Sequence, residues 1–136
     1  MLFRFTGGDA TLGPVPEFRG LYDVLQQAQL AATETVRPGV ACEAIDVAAR
    51  TVIDDAGWGD RFLHRTGHGI GLEVHEEPYI VAGNGELLRV GVAFSVEPGI
   101  YLAGRYGARI EDIVVCGPDG PDTLNVSSHD LRVVTG

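Results

Sequence analysis

Two stretches of apolar residues at helical spacing stand at the front of this chain, and short stretches of period two fill the rest. That order restricts the fold more than any other feature. Phe18, Leu21, Tyr22, Leu25, Ala28, Ala32 and Val36 recur at helical spacing. Pro16 and Glu17 suit the start of this helix and Pro38-Gly39 its end. Ile45, Ala48, Ala49, Val52, Ile53 and Ala56 form the apolar face of a second helix that Gly57 ends; Ala41 and Cys42 stand where Ser or Thr would cap it better. Beyond Trp58 the period changes. Residues 62–66 and 70–74 read as extended segments, and 81–91, VAGNGELLRVG, as a loop. In VAFSVE, Val92, Phe94 and Val96 face one way while Ala93, Ser95 and Glu97 face the other. Pro98-Gly99 interrupts the run, GIYL resumes it, and AGR at 103–105 makes a turn. In YGARIEDIVV, Arg109 and Glu111 share a face, and Asn125 and the final LRVV are expected to close the sheet. Residues 1–16 are rich in turn formers and read as an irregular leading segment. Helices followed by an antiparallel meander imply an α+β fold.

The 136 residues fit a single domain, from 1 to 136. A chain of this size buries roughly two-thirds of its unfolded surface, enough for a real core. No apolar run approaches the ~20 residues that a membrane helix needs. MLFRFTGG lacks the long apolar region of a secretory signal, so a cytoplasmic location is expected. The net charge of −9 argues against nucleic acid, because phosphate binding needs clustered cations. Cys42 and Cys116 sit far apart in apolar surroundings and read as free buried thiols of a reducing compartment.

The stretch HRTGHGIGLEVHEEPY gathers His64, His68 and His75 around Gly67, Gly69 and Gly71. The glycines argue against a helix, so His64 and His68 do not read as a helical zinc pair. Neither HExxH nor a glycine-rich phosphate loop is present. If the strands around the 102–106 turn pair, Glu97 and Glu111 come close, and two carboxylates repel unless a proton or cation lies between them. A histidine from the glycine-rich segment would complete a nitrogen and oxygen set suited to Mn, Co, Fe or Zn rather than Ca. From the residues alone, a metal site and ordinary solvated glutamates both remain open.

HRTGHGIGLEVHEEPYI, FSVEPGIYL and GARIEDIVV, in that order, resemble the motif blocks of the metal-dependent Xaa-Pro peptidases, the family of proline dipeptidase and aminopeptidase P with the pita-bread fold. The resemblance covers residues 16–136 and corresponds to the carboxy-terminal half of the catalytic domain. It implies two helices on a curved antiparallel sheet, and a centre of two divalent ions (Mn or Co, with Zn or Fe as alternatives) held by two aspartates, a histidine and two glutamates. His68, Glu97 and Glu111 match the metal ligands. His64 and His75 match histidines that bind the substrate carbonyl and the tetrahedral intermediate, and Arg109 matches an arginine that orients a metal carboxylate. The glycines would let the strand approach the metals closely.

The family's two metal aspartates should precede the first helix. Arg4 matches an arginine of that region, but the aspartate before it has no counterpart, and Asp9 alone cannot serve twice. The expected identity is therefore a fragment of a dinuclear-metal Xaa-Pro peptidase acting on proline-containing peptides and weak or inactive alone, whether from a truncated product or a mis-called start. A non-catalytic domain of the same fold and a creatine-hydrolysing type of relative are the alternatives. The family's catalytic domain has two similar halves, so an uncovered sheet edge is expected to drive formation of a homodimer.

Overall fold

The computed structural model describes residues 10–12 and 16–134. In chain order the elements are β1 (Ala10–Leu12), α1 (Pro16–Thr35), α2 (Cys42–Asp55), a single 3-10 turn (Gly59–Arg61), β2 (Gly67–Gly69), β3 (Glu76–Ile80), β4 (Ala93–Val96), β5 (Gly99–Leu102), β6 (Tyr106–Arg109), β7 (Asp112–Cys116), β8 (Pro121–Thr123) and β9 (Arg132–Val134). The α+β expectation holds, as do the two helices. Arg4 and Asp9 lie outside the described residues. Within the 1–16 segment expected to be irregular, Ala10–Leu12 form a short strand.

α1 starts on Pro16, whose missing N–H costs nothing in a first turn, with Glu17 beside it where the helix dipole favours an anion. Phe18, Leu21, Tyr22, Leu25, Ala28 and Ala32 are buried along one face. α2 has no side-chain cap at Ala41, as its sequence suggests. The 81–91 loop replaces it: Cys42 N donates to Glu86 O and Glu43 N to Asn84 O, each at 2.9 Å. Two first-turn N–H groups are thereby satisfied by backbone 44 and 41 residues away. The other end closes with Gly57 at φ 82°; Gly57 N donates to Asp54 O (2.8 Å) and Trp58 N to Ile53 O (3.0 Å). This reciprocal pattern needs a left-handed residue, and glycine adopts it without strain.

The main sheet has five antiparallel strands in the order β3-β2-β4-β7-β8. β4 pairs with β7 through Val96↔Asp112, and β5 with β6 through Gly99↔Arg109. Both pairs lie in one register, and Ile110 N donates to Pro98 O between them. The two hairpin arms are therefore one ladder bent at Pro98, and it sets Glu97 opposite Glu111. α1 lies over β4, β5 and β6, and α2 over β3. Phe94, Val96, Ile100, Ala108, Ile110 and Val114 meet the helices in a single core. Cys42 and Cys116 are free and buried, as the sequence suggests, and burial raises both thiol pKa values.

Three expectations need correction. Residues 70–74 are not a strand. Ile70 N still donates to Ala93 O, but β4 begins there, so the next residues have no ladder to join. The chain loops out instead, with Glu73 N held by Glu76 Oε2 at 2.9 Å and Leu72 and Val74 exposed. Residues 62–66 belong to no named strand and bend at His64 and Thr66. The final LRVV does not join the main sheet: β9 pairs in parallel with β1 in a separate two-stranded sheet. Asn125 does close the main sheet, through Ile113 N to Asn125 Oδ1 at 2.7 Å.

Candidate functional site

Segment 62–66 is held by side chains of α2. Asp46, fully buried, accepts from Arg50 Nε (2.7 Å), Thr66 N (3.2 Å) and Thr66 Oγ1 (2.7 Å). Arg50 donates onward to Phe62 O (3.3 Å) and His64 O (2.7 Å) and lies over the Phe62 ring. An ion pair one helical turn long thus fixes the backbone that carries His64 and leads into β2.

β2 then approaches its neighbours closely. A Cβ on Gly67 would stand 1.7 Å from Ser95 O, and one on Gly69 2.1 Å from Glu77 O. Only glycine permits this spacing on both sides of His68. His68 N donates to Ser95 Oγ (3.0 Å), and Ser95 Oγ donates to Glu97 Oε1 (2.8 Å). His68 Nδ1 lies 2.9 Å from Gly69 O, an acceptor only, so Nδ1 carries a proton. His68 Nε2 lies 3.1 Å from Glu97 Oε1, and both residues are buried.

The other oxygen, Glu97 Oε2, accepts from Arg109 Nη1 at 2.7 Å. Arg109 Nε donates to the Tyr101 hydroxyl (2.8 Å), which lies 3.0 Å from His64 Nε2. His64 Nδ1 is 2.7 Å from Arg65 O and so is a donor. The chain of proton positions is then complete: Arg109 to Tyr101, Tyr101 to His64, His64 to Arg65 O. It describes a neutral imidazole. Burial lowers the His64 pKa, with Arg109 and Arg50 adding to it against the Arg65 carbonyl and Glu97. For Arg109, burial would lower the pKa, but Tyr101, Glu97 and Glu111 outweigh it and the guanidinium is held charged. His75 is exposed, its ring set edge-on to that of His68 with centroids 4.6 Å apart.

His64, Arg65, His75, Val81, Glu97 and Arg109 line an open cleft of about 580 Å³. The structure therefore brings five of the six expected site residues, His64, His68, His75, Glu97 and Arg109, to one place. The sixth, Glu111, stands in the link between β6 and β7, where the continued register sets it opposite Glu97. Among the described residues, no group of three or more His, Cys, Asp or Glu side chains closes around a point that could hold a metal ion. The donor set still fits part of a metal shell. With Nδ1 committed to Gly69 O, Nε2 is the ring nitrogen that faces the Glu97 carboxylate, a contact that needs a proton or a cation between the two atoms, and mixed nitrogen and carboxylate donors suit divalent transition ions.

Sequence reasoning missed four members of this network. Tyr101 sits in GIYL, where its period-two position reads as sheet packing. Ser95 shares the small, polar side of β4 with Glu97. Asp46 and Arg50 carry the one signal that could have found them, an opposite-charge pair four residues apart whose acid falls on the apolar side of its helix.

Residues 7–118 match the family model described as Metallopeptidase family M24. Over 113 residues the chain is 60% identical to the probable dipeptidase PepE of Mycobacterium tuberculosis, covering 83% of this chain and 30% of that protein. It is 46% identical over 121 residues to the Xaa-Pro dipeptidase of Lactobacillus helveticus, covering 89% of this chain and 33% of that protein. The crystal structure of dipeptidase PepE from Mycobacterium ulcerans matches with a TM-score of 0.92 at 55% identity, over 95% of this chain and 35% of that one. The chain spans about a third of the length of these relatives.

Proposed function

The chain belongs to metallopeptidase family M24, with an α+β fold of the pita-bread type, and from that premise we propose that it carries part of the active site of a metal-dependent peptidase cleaving the bond before proline. In this reading His68, Glu97 and Glu111 bind metal, His64 and His75 serve the reacting peptide, and Arg109 orients the Glu97 carboxylate. The contact that supports it most is His68 Nε2 against Glu97 Oε1, with Arg109 fixing the other carboxylate oxygen. When bound, two divalent ions, Mn or Co with Zn or Fe as alternatives, would polarise the scissile carbonyl and lower the pKa of a shared water.

The chain's own residues prepare that chemistry. Ser95 and Arg109 hold Glu97 in one orientation before anything binds, which removes the cost of ordering it later. Arg109 offsets carboxylate charge in a buried setting without occupying the face turned to His68. Burial disfavours the charged form of His64, and Tyr101 orients its ring. Both ring nitrogens of His64 are engaged, so it reaches a substrate only by exchanging Tyr101. His75 has no ring-nitrogen hydrogen bond among the described residues, and its exposed imidazole is the more available donor for a developing oxyanion.

With no three-ligand cluster among the described residues, the isolated chain is expected to cleave Xaa-Pro peptides weakly or not at all. The same observation favours a second reading, a peptide-binding domain without catalysis. A cytoplasmic location agrees with two free cysteines, and the net charge of −9 disfavours nucleic acid. No helix among the described residues is long and apolar enough to cross a membrane. A homodimer is the proposed assembly, because β3 ends the sheet and an end strand invites pairing; a monomer mass by light scattering at micromolar concentration argues against it.

Titration with Mn²⁺, followed by the loss of the free-ion paramagnetic resonance signal, tests the metal assignment. Weak binding that disappears in both His68→Ala and Glu97→Ala is expected. Binding that survives both substitutions refutes it. An Ala-Pro cleavage assay with added Mn²⁺ or Co²⁺ separates the two readings: any cleavage abolished by His68→Ala excludes the non-catalytic one.

A further inference from the structure

On the core side of the sheet lies a buried acid that the cleft does not use. Asp112, the first residue of β7, is 2% exposed and shares the buried side of its strand with Val114 and Cys116. Gln29 Nε2, itself buried on α1, donates to Asp112 Oδ2 at 2.9 Å. His129 Nε2 lies 3.1 Å from Asp112 Oδ1 and 3.0 Å from Oδ2. A carboxylate only accepts, so this nitrogen carries a proton and donates. His129 is pinned in turn. Its carbonyl oxygen accepts from the Tyr22 hydroxyl (2.8 Å) and from Gln26 Nε2 (2.6 Å), both on α1. Segment 124–131 is thus bound to α1 at His129, and to β7 through Leu124 N on Ile113 O and Ile113 N on Asn125 Oδ1.

Glu111 immediately precedes Asp112. The register runs on through the β6–β7 link, and successive side chains of an extended chain point to opposite sides. Asp112 therefore turns to α1 and Glu111 to the cleft, where its charge helps to hold Arg109 protonated. On the other side of Glu111, Ile110 is fully buried and donates its N–H to Pro98 O. We infer that His129 is a positioning residue for Glu111: by donating to Asp112 from the core side, it fixes the carboxylate that the cleft offers to a divalent ion. This deepens the proposed function and rests on it. Without the His129 donor, a carboxylate sealed from water keeps Gln29 alone, and a buried acceptor left short of partners is costly enough to shift the backbone that carries it. Glu111 shifts with that backbone. Groups that hold a metal carboxylate in place from behind are typically worth about 10–100-fold in metal affinity.

Two readouts test this: Mn²⁺ affinity from the free-ion paramagnetic resonance signal, and the Arg109 Nε–Hε NMR resonance of the metal-free chain. His129→Ala is expected to weaken Mn²⁺ binding about tenfold and to shift the Arg109 resonance. A glutamine amide nitrogen stands where Nε2 of histidine stands, and an asparagine amide nitrogen where Nδ1 stands. His129→Gln is therefore expected to restore both readouts and His129→Asn to behave as His129→Ala; His129→Asn also serves as the test variant if the alanine chain does not fold. In a Glu111→Gln chain, adding His129→Ala is expected to change neither readout, because the coupling runs through that carboxylate. Effects of the same size with and without Glu111 mean general loosening and overturn the inference, as does equal rescue by Gln and Asn. Mn²⁺ binding that needs Glu111 but ignores His129→Ala refutes the role of His129 alone. No Mn²⁺ binding by the wild type, together with a Glu111-dependent shift of the Arg109 resonance, refutes the metal reading alone and supports the positioning of Glu111 by His129.

Discussion

Replacing Gly67 by alanine tests the central steric claim. The new methyl carbon would lie 1.7 Å from Ser95 O and 2.8 Å from Ser95 C. Non-bonded heavy atoms approach to roughly 3.5 Å, so the neighbouring backbone must retreat by nearly 2 Å. Strands in a sheet stand about 4.8 Å apart, and no side chain can turn away to absorb the change, because the obstructing atom is main chain. β4 is also tied on its far side to β7 through four register pairs, so retreat on one side breaks pairing on the other. The bonds next in line are His68 N to Ser95 Oγ and Glu97 N to Thr66 O. Losing two hydrogen bonds costs about 1–3 kcal/mol, and overpacking adds typically ~1–3 kcal/mol. The expected loss is about 3–5 kcal/mol, a large share of the roughly 5–15 kcal/mol that holds a domain folded. Urea unfolding followed by Trp58 fluorescence and far-ultraviolet circular dichroism measures it. Gly85→Ala is the control: nothing lies within 4 Å of its added carbon, and a change within about 0.5 kcal/mol is expected. A Gly67→Ala chain within 1 kcal/mol (roughly fivefold in the unfolding constant) of the wild type would show that β2 does not depend on this close approach.

Arg50→Ala leaves Asp46 buried without its cation and frees the carbonyls of Phe62 and His64; a loss of about 3 kcal/mol is expected, checked by the same urea titration. His64 has a pKa below the usual histidine value of about 6.5 because burial disfavours its charged form. Between those two values the unfolded chain binds a proton that the folded chain does not, so the contribution of His64 to stability is complete above pH ~6.5 and lost as pH falls through the folded value. An NMR titration of the His64 ring with a midpoint at or above that of free histidine contradicts this. Tyr101→Phe strips the partner from both Arg109 Nε and His64 Nε2; about 1–3 kcal/mol of stability and the sharpness of the His64 ring resonances are expected to be lost together, and an unchanged ring spectrum speaks against the proton chain drawn here.

The sequence by itself determined what depends on near neighbours. Helical spacing from Phe18 to Val36 and from Ile45 to Ile53 reports which side of each helix excludes water, and that is a local property of the chain. Gly57 and Pro16 mark helix ends because their backbone preferences act within one turn. Period two in residues 92–97 separated the core side of β4 from the side carrying Ser95 and Glu97, and the three motif blocks were enough to place the chain in its family. Tertiary structure alone decided where partners are remote. IGLEV, residues 70–74, alternates like a strand, yet it loops out because β4 starts too late to pair with it. LRVV has strand composition in any setting, and only its pairing with Ala10–Leu12 shows which sheet it joins. The cap of α2 comes from residues 84 and 86, and the orientation of Glu97 comes from Arg109 across a hairpin. A hydrophobic period records burial, which each residue feels singly; a hydrogen bond between distant segments exists only after the core has brought them together, and no short stretch of sequence contains it.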